Sequence, residues 1–167
     1  MKKWLFLILL FPLICVAQTY RYLGVEDGLS NRRVYCIQKD KTGYMWFLTH
    51  EGIDRYNGKE FKRYKLMDGD AEVNSLLNLN WLYIDQEGVL WEIGKKGKVF
   101  RYDQIHDCFS LVYKLPMESF SEQPDPVTYA WLDQNKHIWL CNKDTIFLYN
   151  TDTKQVCLLY TSDAADE

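Results

Sequence analysis

Three stretches of this chain lie over one another when aligned on a tryptophan: CIQKDKTGYMWFLTHEGIDRY, LYIDQEGVLWEIGKKGKVFRY and AWLDQNKHIWLCNKDTIFLY. Trp46, Trp91 and Trp139 each follow an aspartate by six residues (Asp40, Asp85, Asp133) and precede a tyrosine by ten or eleven (Tyr56, Tyr102, Tyr149). The tryptophans stand 45 and 48 residues apart. A period of about 40–50 residues built from short strands is the mark of a β-propeller blade. The fold class expected is therefore all-β: a β-propeller represented by about three blades, at 20–66, 80–115 and 127–156. A closed propeller has roughly four to eight blades, so three make an incomplete, truncated ring.

Each unit parses alike. An apolar-polar run (Val34 to Gln38; Trp81 to Ile84; Tyr129 to Leu132) meets an Asp/Gly turn, and a second strand then carries the tryptophan. Gly closes such hairpins because it reaches positive φ, and Asp because its side chain bonds its own backbone. Gly43 and Gly88 hold the turn position in the first two units, where the third has Lys136; Gly52 and Gly97 hold the next turn and have no clear third counterpart. A large flat ring at one place in every blade predicts a wedge filler between neighbouring sheets, burying on the order of 150–250 Å². The links MDGDAEVNSLLNLN and PMESFSEQPDPVT separate the units. The second resists strand through Pro116, Pro124 and Pro126, and in the first Ala71 to Asn78 could form one short helical turn.

The ends read differently. MKKWLFLILLFPLICVAQ has two lysines, an apolar run from Trp4 to Ile14 and a small residue at Ala17, the layout of a secretory signal peptide at 1–17. That implies export to the periplasm. CLLYTSDAADE, residues 157–167, reads neither as a strand continuing the third unit nor as an amphipathic helix, and it resembles a translated sequencing-library adapter. It is expected to be a non-native tail, with one domain over 18–156. A net charge of −3, with basic residues scattered among acids, points away from nucleic acid. Within 18–156 the cysteines are Cys36, Cys108 and Cys141, odd in number with no CxxC pair, which argues against zinc and against a disulfide framework while leaving room for one pair in an oxidising compartment. No cofactor and no metal are expected.

The densest chemistry lies in GYMWFLTHEGIDRYNG, with His50, Glu51, Asp54 and Arg55. Three readings compete there. In one, Glu51-Gly52 closes a turn, His50 caps the strand, and Asp54 and Arg55 face solvent or pair locally. In the second, His50, Glu51 and Arg55 are ligand contacts at the turn between the second and third strands, since loops on a rigid scaffold commonly carry binding groups. The third makes them catalytic acid-base groups. The segment lacks the second histidine of HExxH, and no triad with His106 or His137 is recognisable, so no catalytic residue is assigned. EDGLSN (Glu26 to Asn31) reads as a turn and strand entry.

Residues 22–64 resemble the opening blade of the two-component regulator propeller family, the periplasmic sensor region of hybrid sensor histidine kinases of gut Bacteroidetes. The matching parts are EDGLSN, the DxxGxxW of Asp40 to Trp46, the TxxGIxRYxG of Thr49 to Gly58, and the FxxY of Phe61 to Tyr64. The resemblance implies a ligand-sensing module, itself not an enzyme, from an inner-membrane protein with two propellers, a β-sandwich, a membrane helix, a kinase core, a receiver and a DNA-binding domain. It also implies an oligosaccharide ligand, control of polysaccharide-utilisation genes and a homodimeric intact protein. The alternative is a fragment of a secreted propeller enzyme, a lyase or a glycan-degrading protein.

Overall fold

The computed structural model describes residues 20–73, 79–94, 96–114, 127–143 and 145–161. The leader expected at 1–17 and most of the proline-rich link lie outside the described residues. Blade 1 is an antiparallel meander of β1 (Val34–Lys39), β2 (Met45–Thr49), β3 (Gly52–Tyr56) and β4 (Phe61–Tyr64), in that spatial order. The chain then forms a small hairpin, β5 (Leu66–Asp68) and β6 (Ala71–Val73), before blade 2: β7 (Leu79–Ile84), β8 (Leu90–Gly94), β9 (Lys98–Asp103) and β10 (Cys108–Lys114). Blade 3 comprises β11 (Tyr129–Leu132), β12 (His137–Cys141), β13 (Thr145–Asn150) and β14 (Gln155–Thr161). The described residues thus form three consecutive propeller blades of an open ring.

Two expectations are corrected. The helical turn expected at Ala71 to Asn78 does not form over its described part, and the rest lies outside the described residues. Residues 71–73 are strand, β5 runs parallel to β10 with Leu66 opposite Phe109, and blade 2 becomes a six-stranded sheet. The cause is burial, since Leu66 is fully enclosed beside Phe109 and the hairpin covers an edge that would otherwise leave backbone groups unpaired. The second correction concerns the tail. Strand β14 continues past Val156 to Thr161, pairing Cys157 with Leu148, Leu158 with Phe147 and Thr161 with Thr145. Leu158 and Leu159 stay largely exposed, so backbone pairing with β13 holds this segment rather than an apolar face.

The aspartate-to-tryptophan spacing has a direct physical meaning. In every blade the indole Nε1–H donates to the carboxylate six residues earlier: Trp46 to Asp40 at 2.7 Å, Trp91 to Asp85 at 2.9 Å and Trp139 to Asp133 at 2.9 Å. The other carboxylate oxygen caps the hairpin, accepting from the N–H of Tyr44, of Val89 and of His137 respectively. Gly43 and Gly88 sit at φ of 95° and 90°, and Lys136 takes the same turn at φ 60°. The third turn is therefore kept without glycine. Lys136 bonds Glu87 of blade 2 at 2.6 Å, which offsets part of the left-handed strain.

The core lies between blades, as the wedge-filling role predicts. One cluster joins Trp46, Leu48 and Ile53 of blade 1 to Leu82, Phe100 and Phe109 of blade 2. A second joins Trp91, Ile93 and Val99 of blade 2 to Ile138, Phe147 and Tyr149 of blade 3. Trp46 and Trp91 face the following blade, and Tyr102 and Tyr149 face the preceding one: Trp46 meets Tyr102 at 5.0 Å between ring centroids. Tyr149 stacks on Tyr113 of blade 2 at 4.3 Å. Tyr56 is buried on the leading face of blade 1, against Phe61.

Removing the Asp85 carboxylate leaves the buried Trp91 N–H without an acceptor. We expect Asp85→Ala to lower unfolding free energy by about 2–3 kcal/mol in urea denaturation, and Asp133→Ala to cost less, because half-buried Trp139 can turn its N–H to water.

Candidate functional site

In an antiparallel meander successive turns alternate between the two ends of the sheet. His50 and Glu51 form the β2–β3 turn, whereas the Asp40 turn and the β3–β4 turn lie at the opposite end. Arg55 is four residues along β3 from Glu51, about 13 Å at the rise of a strand. The structure brings His50 and Glu51 together and leaves Arg55 outside their group.

His50 is exposed, and its Nδ1 lies 2.9 Å from the hydroxyl of Tyr35, a half-exposed residue on β1. The backbone N–H of His50 donates to the Arg33 carbonyl. Glu51 accepts from the Asn31 amide at 3.2 Å and faces the Arg63 guanidinium at 3.7 Å, while Arg63 also donates to the Glu51 backbone carbonyl. This end of blade 1 thus presents an open polar group with an aromatic ring at its side: Tyr35, His50, Glu51, Asn31 and Arg63. Alternation along β1 puts Tyr35 on the outward face, a signal readable from the strand period. Asn31 and Arg63 reach Glu51 only through tertiary contact.

Asp54 is not solvent-facing. It is fully buried, and one carboxylate oxygen accepts from the Ser30 N–H at 2.8 Å and the Ser30 hydroxyl at 2.6 Å. The other oxygen, Oδ1, has no hydrogen-bond partner. Burial pushes the carboxyl up from its usual value, against the pull of the Ser30 bonds. Leu29 is buried beside this pair, so EDGLSN is stitched onto the leading face of blade 1 and covers it. Gly28 closes the turn at φ 106°, and a Cβ there would stand 3.5 Å from Phe61.

Arg55 belongs to the joint between blades 1 and 2. Its guanidinium lies over the rings of Tyr44, Trp46 and Tyr64 at 4.6, 5.4 and 5.2 Å, and donates to the Tyr102 hydroxyl at 3.3 Å. Asp107, in the β9–β10 turn at φ 50°, gathers the group: Tyr64 donates to it at 2.8 Å, Tyr102 at 2.5 Å, Lys62 pairs with it, and Arg55 stands 3.6 Å away. Burial alone would raise the Asp107 carboxyl, but donation from Lys62, Tyr102 and Tyr64 overrides it and holds the group well below the usual range. A cleft of ≈ 910 Å³ opens at this end, lined by Lys41, Tyr44, Arg55, Tyr102 and Asp107 among others. Its floor is committed to holding two blades together, and Asp40 and Asp107 are already saturated by protein donors.

His106 bonds Asp103 at 2.6 Å, and His137 lies between Asp133 and Asn150 at 3.2 Å from each. Among the described residues no three of His, Cys, Asp and Glu gather as metal ligands, and Cys36, Cys108, Cys141 and Cys157 are free thiols.

Residues 28–51, from the covering motif through the Asp40 turn to Glu51, match the model of the two component regulator propeller. The chain is 27% identical to the extracellular domain of a proposed hybrid two component system from B. thetaiotaomicron, with a TM-score of 0.64 over 84% of this chain and 20% of that one. It therefore spans about one fifth of that relative. A second extracellular domain from the same organism is 19% identical, with a TM-score of 0.63 over 86% of this chain and 19% of that one. Virginiamycin B lyase from Staphylococcus aureus is 13% identical, at a TM-score of 0.59 over 82% of this chain and 44% of the lyase. Those last two likenesses show the fold alone. No curated protein matches the sequence.

Because the folded Asp107 carboxyl lies below its unfolded value, its contribution to stability is present above the ordinary carboxylate pKa of about 4 and is lost as pH falls below it. Asp107→Asn should give a shallower acid limb in melting temperature against pH than the parent chain, with its Tyr64 and Tyr102 donors retained.

Proposed function

We propose that this chain is the amino-terminal part of the ligand-sensing propeller of a hybrid two-component sensor histidine kinase. In this reading it is exported by its signal peptide to the periplasm, and the intact protein is anchored in the inner membrane as a homodimer. The ligand is a glycan fragment whose binding switches polysaccharide-utilisation genes. The observation that carries the proposal is the regulator-propeller repeat of blade 1, supported by likeness to the extracellular domain of a two component system. The module binds and transmits rather than catalyses. Ligand would favour one arrangement of the propeller over another, and the shift it produces can be no larger than its differential affinity for the two.

The open turn of blade 1 suits such a ligand. His50 and Glu51 offer a donor or acceptor and a carboxylate to sugar hydroxyls, and the exposed ring of Tyr35 gives a face for the apolar side of a pyranose. With Arg55 in the blade joint, the proposed contact is His50 and Glu51, with Tyr35 added.

The test is a glycan-array screen of the complete sensor ectodomain carrying this chain, followed by calorimetric titration of the best oligosaccharide. His50→Ala combined with Glu51→Ala should weaken binding by tenfold or more, about 1.4 kcal/mol, while His106→Ala at the far end leaves affinity unchanged. Undiminished affinity in the double variant would remove the site assignment, and an ectodomain that binds no glycan would remove the ligand class.

A further inference from the structure

The joint between blades 1 and 2 and the joint between blades 2 and 3 are built on the same positions. Arg55 lies opposite Trp46 on the neighbouring strand, as Arg101 lies opposite Trp91. Each guanidinium stands over the ring of its tryptophan, at 5.4 and 5.8 Å. Tyr64 pairs with Ile53, two residues before Arg55, and Tyr113 pairs with Val99, two residues before Arg101. The following blade adds a tyrosine to each joint, Tyr102 to the first and Tyr149 to the second. The turn after that tyrosine has one form in both blades. Asp103 accepts from the N–H groups of Ile105 and His106, and Asn150 from those of Asp152 and Thr153. The fifth residue past the tyrosine then takes positive φ, Asp107 at 50° and Lys154 at 57°.

One chemical difference separates the two joints. In the first, the residue at positive φ is a carboxylate that collects the Tyr64 and Tyr102 hydroxyls, Lys62 and Arg55. In the second it is an ammonium, so the acceptor is exchanged for another donor while the arginine and both tyrosines are kept. Ser110, opposite Arg101, supplies a hydroxyl where Lys62 stands opposite Arg55. Tyr113 and Tyr149 stack at 4.3 Å, and burial pushes both phenols up, so both remain O–H donors. Among the described residues neither hydroxyl has a hydrogen-bond partner, and neither Arg101 nor Lys154 has an ion pair. Both cations are exposed, and Arg101 and Ser110 line the cleft at this end of the sheets. Two phenol donors and two cations gathered without an anion make a place where a charge-assisted acceptor is favoured.

We infer that the joint between blades 2 and 3 is a carboxylate-binding site, in which a ligand carboxylate takes the place that Asp107 fills in the first joint. Arg101 and the hydroxyls of Tyr113 and Tyr149 hold it, and Lys154 adds charge. Carboxylate is the class because the first joint shows which group this set of donors holds. The source is either a free small carboxylate or the carboxyl group of a sugar acid. The site lies at the opposite end of the sheets from His50 and Glu51 and does not rest on the sensing proposal.

The test is a titration of the isotope-labelled chain with sodium acetate against equal concentrations of sodium chloride, following the Arg101 Nε–H resonance and the melting temperature. Acetate should shift the resonance saturably and raise the melting temperature, as a ligand of the folded state must. Glucuronate should do the same where the site admits a sugar acid, and acetate alone where it takes only small carboxylates; glucose should do neither. Arg101→Gln, and Tyr113→Phe, which keeps the stacked ring, should each raise the acetate Kd about tenfold. Lys154→Asp restores the carboxylate of the first joint, so it should melt higher than the parent in chloride and lose the response to acetate. Lys154→Asn tolerates positive φ equally and carries no charge, so it should keep a saturable response, which separates a filled site from a relieved backbone. A parent chain that does not respond to acetate, a response equalled by glucose, a response kept in Lys154→Asp, or one lost in Lys154→Asn would each overturn the inference.

Discussion

Everything in this arrangement depends on one carboxylate per blade doing two jobs. One oxygen of Asp40, Asp85 or Asp133 closes the hairpin of the first two strands, and the other takes the indole N–H of the tryptophan on the second. A buried indole N–H without an acceptor costs about 1–3 kcal/mol, so the ring is held in one orientation. That orientation faces the next blade, where Tyr102 meets Trp46. The local turn thereby sets the joint between sheets, and the joints hold most of the apolar core.

The joints share a register and differ in chemistry. Between blades 1 and 2, Arg55 lies among three rings, and Asp107 collects two tyrosine hydroxyls and a lysine. Between blades 2 and 3 the corresponding work is done by stacked Tyr113 and Tyr149 and by Lys136 reaching Glu87. The polar clamp depends on the ionisation of Asp107 and weakens only as acid protonates that carboxyl, whereas the stacked rings do not titrate there. Such unequal joints give an open ring a preferred place to flex.

Periodicity made the blades legible because turn, tryptophan and tyrosine recur in every unit. The third turn kept its shape despite Lys136, since hydrogen bonding to Asp133 set the backbone and glycine only eased it. What could not be read had long-range causes. Asp54 looked like a surface acid because nothing near it in sequence shows that Ser30, 24 residues earlier, would cover it. Arg55 looked like a neighbour of His50 because five residues of strand separate positions that a linear reading places side by side. The β5–β6 hairpin was hidden for the same reason: its partner strand, β10, lies over forty residues further on. The strand in the tail was hidden because it is held by backbone pairing, which leaves no mark in hydrophobic pattern.

The covering motif links the scaffold to the open turn. Ser30 grips buried Asp54, and the next residue, Asn31, donates to Glu51. A group that draws the Glu51 carboxylate away therefore acts on the residue beside the one that seals the leading face of blade 1. Asp54 sharpens that coupling. Its carboxyl is raised by burial, so the folded state loses stability as rising pH ionises it, and the Ser30 bonds are what oppose that loss. Loosening Ser30 would expose both an unfavourable buried charge and the leading face of blade 1. In the sensing role proposed above, the differential affinity that any switch requires has a physical source in this segment, because a ligand on His50 and Glu51 would interact differently with the covered and uncovered states of blade 1.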